Sequence, residues 1–210
     1  MASGCSVVRT THTTLVVPGP LLRWAYTKTL RLFAAIEIPD QMKQRLRAFV
    51  DRLRPAAKLA WSSVDNLHVT TKFIGEWPEA KLQQLKDALI SVPKPGPVQI
   101  AVRGLGWFPN AKNPRVLWAG IEVNEPLRQL TGNTESVLAA IGIPVENREF
   151  HPHLTLARRR DAVPLERLRR ILDSLSPDSS DFGTFTAVSF FLYLSAGRRY
   201  TKLEEFTLAV

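Results

Sequence analysis

Two short stretches of this sequence pair an imidazole with a hydroxyl at the same spacing: Leu67-His68-Val69-Thr70 and Pro152-His153-Leu154-Thr155. Each His-x-Thr lies among apolar and β-branched residues, the composition of a strand. Residues i and i+2 of a strand share a face, so each copy projects an imidazole and a hydroxyl side by side. Histidine titrates at about pH 6.5 and can give or take a proton near neutrality. A threonine hydroxyl both donates and accepts hydrogen bonds. One copy would carry little weight. Two copies point to two half-sites that close on one substrate.

Other reactive groups offer weaker alternatives. His12 lies in the N-terminal segment. His151 shares the parity of His153, which raises a His-x-His metal pair, but Glu149 is the only close carboxylate and a third ligand is missing. His151 is therefore read as a supporting or neutral residue, and neither a metal nor any other cofactor is expected. Ser195-Ala-Gly197 lacks a nucleophile-elbow context, and the single cysteine is Cys5, so serine or cysteine catalysis is not expected.

The elements that must position the two histidines can be traced along the chain. Arg31–Ile38 reads as a strand stopped by Pro39, and Asp40 as the cap of a helix over 41–53 with Met42, Leu46, Phe49, Val50 and Leu53 on one face. A short strand near 58–61 leads into the strand of His68, and Leu82, Leu85, Ala88 and Leu89 stripe the next helix. Pro93, Pro95 and Pro97 mark a connection between lobes. Strands over 98–105 and 115–123 precede a helix through Leu127, Leu130, Leu138 and Ile141, interrupted in propensity at Gly132-Asn133. The second His-x-Thr strand runs over 150–157, a helix follows Pro164, and strands over 185–195 and 200–208 close the chain. Strands and helices interleave without a Gly-rich phosphate loop, so the fold class expected is α+β.

Length and composition fit this reading. The chain has 210 residues, 45% hydrophobic and 22% charged, enough for one domain with a real core. No apolar run nears the ~20 residues of a membrane span, and a lone cysteine suits a reducing compartment, here the cytoplasm. The formal charge of +9 favours a polyanionic partner such as RNA, a weak signal alone. Residues 1–30 are Thr-rich and acid-free and contain Pro18-Gly19-Pro20; a poorly ordered extension is expected there, with the domain spanning 31–210.

With both motifs in place, the chain resembles the two-histidine (2H) phosphoesterase superfamily, and within it the RNA 2′,3′-cyclic phosphodiesterases once called 2′-5′ RNA ligases. The resemblance rests on Arg31-Leu-Phe-Ala-Ala-Ile-Glu-Ile-Pro39, on Trp61 ahead of Asn66-Leu-His-Val-Thr-Thr-Lys-Phe-Ile-Gly-Glu76, on His151-Pro-His-Leu-Thr-Leu-Ala-Arg158, and on the closing Gly197, Tyr200, Thr201, Leu203, Phe206 and Leu208. It covers about residues 31–210. It implies a LigT-like fold: two pseudo-symmetric lobes, each an antiparallel sheet with helices outside, and a cleft between them. It implies metal-independent acid–base hydrolysis of RNA ends or nucleotides bearing a 2′,3′-cyclic phosphate, leaving a 2′-phosphomonoester. His68 would be the proton donor and His153 the acceptor; residue types alone do not order them.

Thr70 and Thr155 would hold the phosphate oxygens. Lys72 continues the parity of His68 and Thr70, so it either adds charge to the cleft or reaches solvent. Arg158 matches a family arginine five residues after the second histidine, and a guanidinium suits phosphate; strict alternation turns it away from His153 unless the strand ends or bulges. Phe33 and Trp61 could stack on a base, with Trp61 expected in the core. The rival functions are 2′-5′ RNA ligation or tRNA-end processing at the same site, and a non-catalytic RNA-binding module. A monomer without an obligate protein partner is expected.

Overall fold

The computed structural model describes residues 28–197 and 199–208. The extension expected over 1–30 falls outside the described residues up to 27. Its last residues belong to the fold, since the first strand, β1, runs Thr29–Glu37. The described residues form nine strands and four α-helices, in the order β1, α1 (Asp40–Leu53), β2 (Ala60–Trp61), β3 (His68–Pro78), α2 (Leu82–Ile90), β4 (Val98–Phe108), β5 (Val116–Ile121), α3 (Glu125–Ala140), β6 (His153–Arg158), α4 (Glu166–Asp173), β7 (Asp181–Ala187), β8 (Ser189–Ala196) and β9 (Arg199–Thr207). The strands form two sheets, ordered β3-β1-β8-β9 and β2-β6-β5-β4-β7. Every pairing is antiparallel, as the α+β reading requires.

Both histidine strands form for local reasons. His68–Pro78 and His153–Arg158 alternate buried apolar with half-buried polar residues, Val69 and Leu154 pointing into the core. Helix α1 buries the predicted stripe of Met42, Leu46, Phe49, Val50 and Leu53. Asp40 does not cap it: Pro39 precedes the first turn, no side chain closes it, and the Asp40 carboxylate instead favours the helix dipole from within that turn. Helix α3 runs without a break through Gly132-Asn133. Its Asn124 cap accepts from the Leu127 amide at 3.0 Å, and Leu127, Leu130, Thr134 and Leu138 bury one continuous face, which outweighs the propensity cost of one glycine.

The stretch expected as a single strand over 185–195 is two strands divided at Val188. β7 pairs with β4 in the five-stranded sheet, while β8 pairs with β1 and β9 in the other. The chain changes sheets at that residue. β2 also crosses, pairing with β6 rather than with its sequence neighbours. One hydrophobic core takes in both sheets, from Leu32, Ile36 and Phe190 on one to Ile100, Leu117 and Leu154 on the other. Among the described residues no helix is long and apolar enough to cross a membrane.

Candidate active site

The two half-sites are built alike. His68 Nδ1 lies 2.8 Å from the carbonyl oxygen of Asn66, and His153 Nδ1 lies 2.8 Å from that of His151. A carbonyl only accepts, so Nδ1 carries the hydrogen in both neutral rings and Nε2 keeps its lone pair for chemistry. Each histidine bonds the residue two places before it, where the chain enters the strand.

Aromatic rings hold both imidazoles. Phe33 stacks on His68 with centroids 4.6 Å apart, and Tyr200 meets the same ring edge-on at 5.2 Å. Phe108 meets His153 edge-on at 4.9 Å. Burial pushes His68 down to about 4, helped by the charge His153 would carry across the cleft and opposed by the Asn66 carbonyl. Burial also lowers His153, against the pull of the His151 carbonyl and with the charges of Arg158 and His151 adding to the effect. Both rings are therefore neutral at pH 7. Burial and the Glu37 carboxylate push the Tyr193 phenol upward, so it remains a neutral neighbour of Phe33.

A bulge follows the threonine in each motif. In β3, Ala35 pairs with Thr70 and Ala34 with Lys72, leaving Thr71 as the extra residue. In β6, Trp118 pairs with Thr155 and Leu117 with Ala157, leaving Leu156 extra. One inserted residue reverses the side-chain parity of the rest of the strand. The fifth residue after each histidine, rather than the fourth, therefore shares its face. Those residues are Phe73 and Arg158.

This geometry sorts the expected site residues. His68 and His153 lie close enough for their charges to interact, Thr70 and Thr155 share the faces of their histidines, and Arg158 is exposed and close enough to His153 for its charge to be felt. Lys72 does not join them. The bulge turns it inward, where it is 5% exposed, with Nζ donating to Glu135 Oε1 at 2.5 Å and to the Pro144 carbonyl at 2.7 Å. Neither alternative weighed for it, cleft or solvent, applies. Phe33 does not offer a free face for a base: it is 4% exposed, beneath His68. Trp61 packs against the core and its indole N–H donates to the Ala57 carbonyl. His151 is exposed and 3.4 Å from Glu149, and among the described residues no cluster of three potential metal ligands forms.

Two features went unread in the sequence. Phe73 is 65% exposed, 6.5 Å from Phe33 on the His68 side of the cleft; the bulge that places it was the missing signal. Beside His153 lies a cavity of about 670 Å³ lined by Trp107, Phe108, Trp118 and His151. Trp118 lies over Gly106, where any Cβ would come within 2.1 Å of the indole. That glycine, inside a strand, was the legible trace of a flat aromatic wall.

Comparison with known proteins gives a consistent picture. The family model described as LigT like Phosphoesterase matches residues 36–118 and 121–198, one histidine motif in each segment. The chain is 32% identical over 167 residues to the RNA 2′,3′-cyclic phosphodiesterase of Methanocaldococcus jannaschii, covering 79% of this chain and 91% of that protein. It is 32% identical over 189 residues to the protein of the same name from Thermus thermophilus, covering 85% and 90%. The crystal structure of E. coli LigT complexed with 3′-AMP superposes with a TM-score of 0.68 at 26% identity, covering 87% of this chain and all of that one.

Proposed function

The chain belongs to the LigT-like phosphoesterase family, and from that premise we propose that it is an RNA 2′,3′-cyclic phosphodiesterase that opens cyclic phosphate ends to 2′-phosphomonoesters. The observation that carries this reading is the matched pair of imidazoles, each with Nδ1 tied to a backbone carbonyl and Nε2 left free. In-line displacement at phosphorus needs a base on one side and an acid on the other. His153 removes a proton from water; the nearby Arg158 disfavours its imidazolium and so favours the neutral form a base requires. His68 protonates the departing 3′ oxygen. Burial holds it neutral in the free enzyme, and a bound phosphate anion lifts its affinity for a proton, so substrate brings the acid into its working state.

Thr70 and Thr155 hold the non-bridging oxygens, and Arg158 neutralises charge that builds on them. Phe73 and Tyr200 offer exposed faces to the base next to the reacting phosphate. We take the enzyme to act as a monomer in the cytoplasm, which size-exclusion chromatography and fractionation of the source cells would check. Product analysis on a nucleoside 2′,3′-cyclic phosphate in EDTA tests the chemistry. Wild type should yield only the 2′-phosphate, and His68→Ala and His153→Ala should each lose ~10²–10⁴-fold in kcat. The absence of turnover by wild type, or unchanged variants, would sink the reading. Adding a 5′-hydroxyl RNA asks whether the same site also forms a longer, 2′-5′-linked product.

A further inference from the structure

Arg158 is the first of a group of cations gathered where β6 ends and β2 and β5 begin. Resting on the function proposed above, we infer that this end of the five-stranded sheet is the track for the phosphodiester backbone of a single-stranded RNA whose terminus lies in the cleft. Arg158 pairs in register with Ala60 and with Val116, which brings Lys58 and Arg115 to its flanks. The Arg159 amide donates to the Arg115 carbonyl at 2.8 Å, so β6 and the start of β5 run on together to Arg160. Arg169 of α4 donates to the Ala111 carbonyl at 2.8 Å, which ties that helix to the loop bearing Lys112.

Lys58, Lys112, Arg115, Arg158, Arg160 and Arg169 are all exposed. Among the described residues none of the six forms an ion pair with a carboxylate. Several cations elsewhere on the surface are matched: Arg47 with Asp65, Lys86 with Glu204, Arg103 with Glu122 and Asp181, Arg148 with Glu146; isolated ones such as Arg31, Arg52 and Arg128 stand apart rather than in a group. Between 158 and 170 there are six arginines and two acids, Asp161 and Glu166, so the excess is real after its own neighbours are counted. An ordinary solvated face interleaves both signs.

Two arguments select an RNA strand as the occupant. The group is continuous with the cleft through Arg158, on the strand that carries His153, so a polyanion anchored there runs on from the reacting phosphate. A run of cations leading out of a cleft is also the arrangement that tracks the backbone of a single strand, while Phe73 and Tyr200, exposed on the facing sheet, are left to take the terminal bases. Arginine, which dominates the group, suits phosphate in particular.

The test compares a 12-nucleotide RNA ending in a 2′,3′-cyclic phosphate with the corresponding mononucleotide. The variant is Lys112→Ala/Arg115→Ala/Arg160→Ala, three exposed residues outside the catalytic group. On the strand, kcat/KM should fall at least tenfold, and the dependence of log(kcat/KM) on log[salt] should flatten by ~2, at about 0.7 per lost phosphate contact. Turnover of the mononucleotide should not change. Fluorescence anisotropy with a non-reacting strand ending in a 3′-phosphate gives a second readout that needs no catalysis, and the variant should bind it at least tenfold more weakly. Strand binding equal to wild type, or equal losses on strand and mononucleotide, would overturn the track. So would loss of binding to anionic phospholipid vesicles with strand binding intact. If wild type turns over neither substrate while anisotropy behaves as stated, the catalytic reading fails and the track stands.

Discussion

At the scale of single residues, the two histidines make a pH prediction with a definite sign. The folded protein holds His68 at about 4, chiefly by burial, below the ordinary value near 6.5. Between those two values the unfolded chain binds the proton and the folded one does not. Stability contributed by the neutral ring is therefore complete above about pH 6.5 and is lost as pH falls toward 4, by roughly 2–3 kcal/mol. Urea unfolding between pH 4 and 7 should show this slope, and His68→Gln should flatten it. Activity should carry the same asymmetry. The free enzyme must find one ring charged while both are depressed, so kcat/KM should peak on the acid side of kcat, which reads the complex with phosphate already bound. Coincident profiles would mean that phosphate does not lift the acid. Residue types and spacing made His68, Thr70, His153 and Thr155 legible from sequence. They did not separate Phe33 from Phe73, because both aromatics lie near His68 and only packing decides that the first supports the imidazole from below while the second stays exposed.

At the scale of the element, the two bulges decide which residues reach the cleft, and period-two counting across them fails on both strands. Arg158 counts to the wrong face and is brought back; Lys72 counts to the cleft and is turned away. Lys72 then ties β3 to Glu135 of α3 and to Pro144, in the segment leading toward His153, while Glu135 also accepts the Glu146 amide. Lys72 is buried, whereas Glu135 is partly exposed and keeps the Glu146 amide, so Lys72→Met should cost about 1–3 kcal/mol in urea unfolding. Lys72→Met combined with Glu135→Leu should recover part of that loss, an outcome that tells pair removal from simple loss of packing. The bulged residue gives the opposite prediction. Thr71 Oγ1 is buried with no partner among the described residues, and the matching position in β6 is Leu156. Thr71→Val should therefore raise stability by ~1 kcal/mol without changing kcat. No sequence signal marks such an insertion, since the bulged and unbulged strands carry the same apolar alternation.

At the scale of the whole molecule, a matched pair of motifs suggested two halves, each folding from its own stretch of chain, yet the strand order denies them independence. The chain lays β1 in one sheet, β2 in the other, β3 back in the first, β4 to β7 in the second, and β8 and β9 in the first again. The prolines at 93, 95 and 97 revealed one of these crossings, but Val188, mid-way through a run of strand-forming residues, gave no sign of another. No single cut separates the sheets, and their apolar faces share one core. Unfolding should therefore be a single transition. Of the five tryptophans, Trp77 in β3 belongs to one sheet, Trp61, Trp107 and Trp118 belong to the other, and Trp24 lies outside the described residues; in a Trp24→Phe background, tryptophan fluorescence weighted to the five-stranded sheet can be set against far-UV circular dichroism, which reports both. The two should give one urea midpoint. Leu192→Ala, a fully buried site in β8, should move both midpoints together by the roughly 2–5 kcal/mol that such a cavity costs. A midpoint that shifts in one signal alone would mean that the sheets unfold separately and that the cleft is held by contacts weaker than the shared core implies.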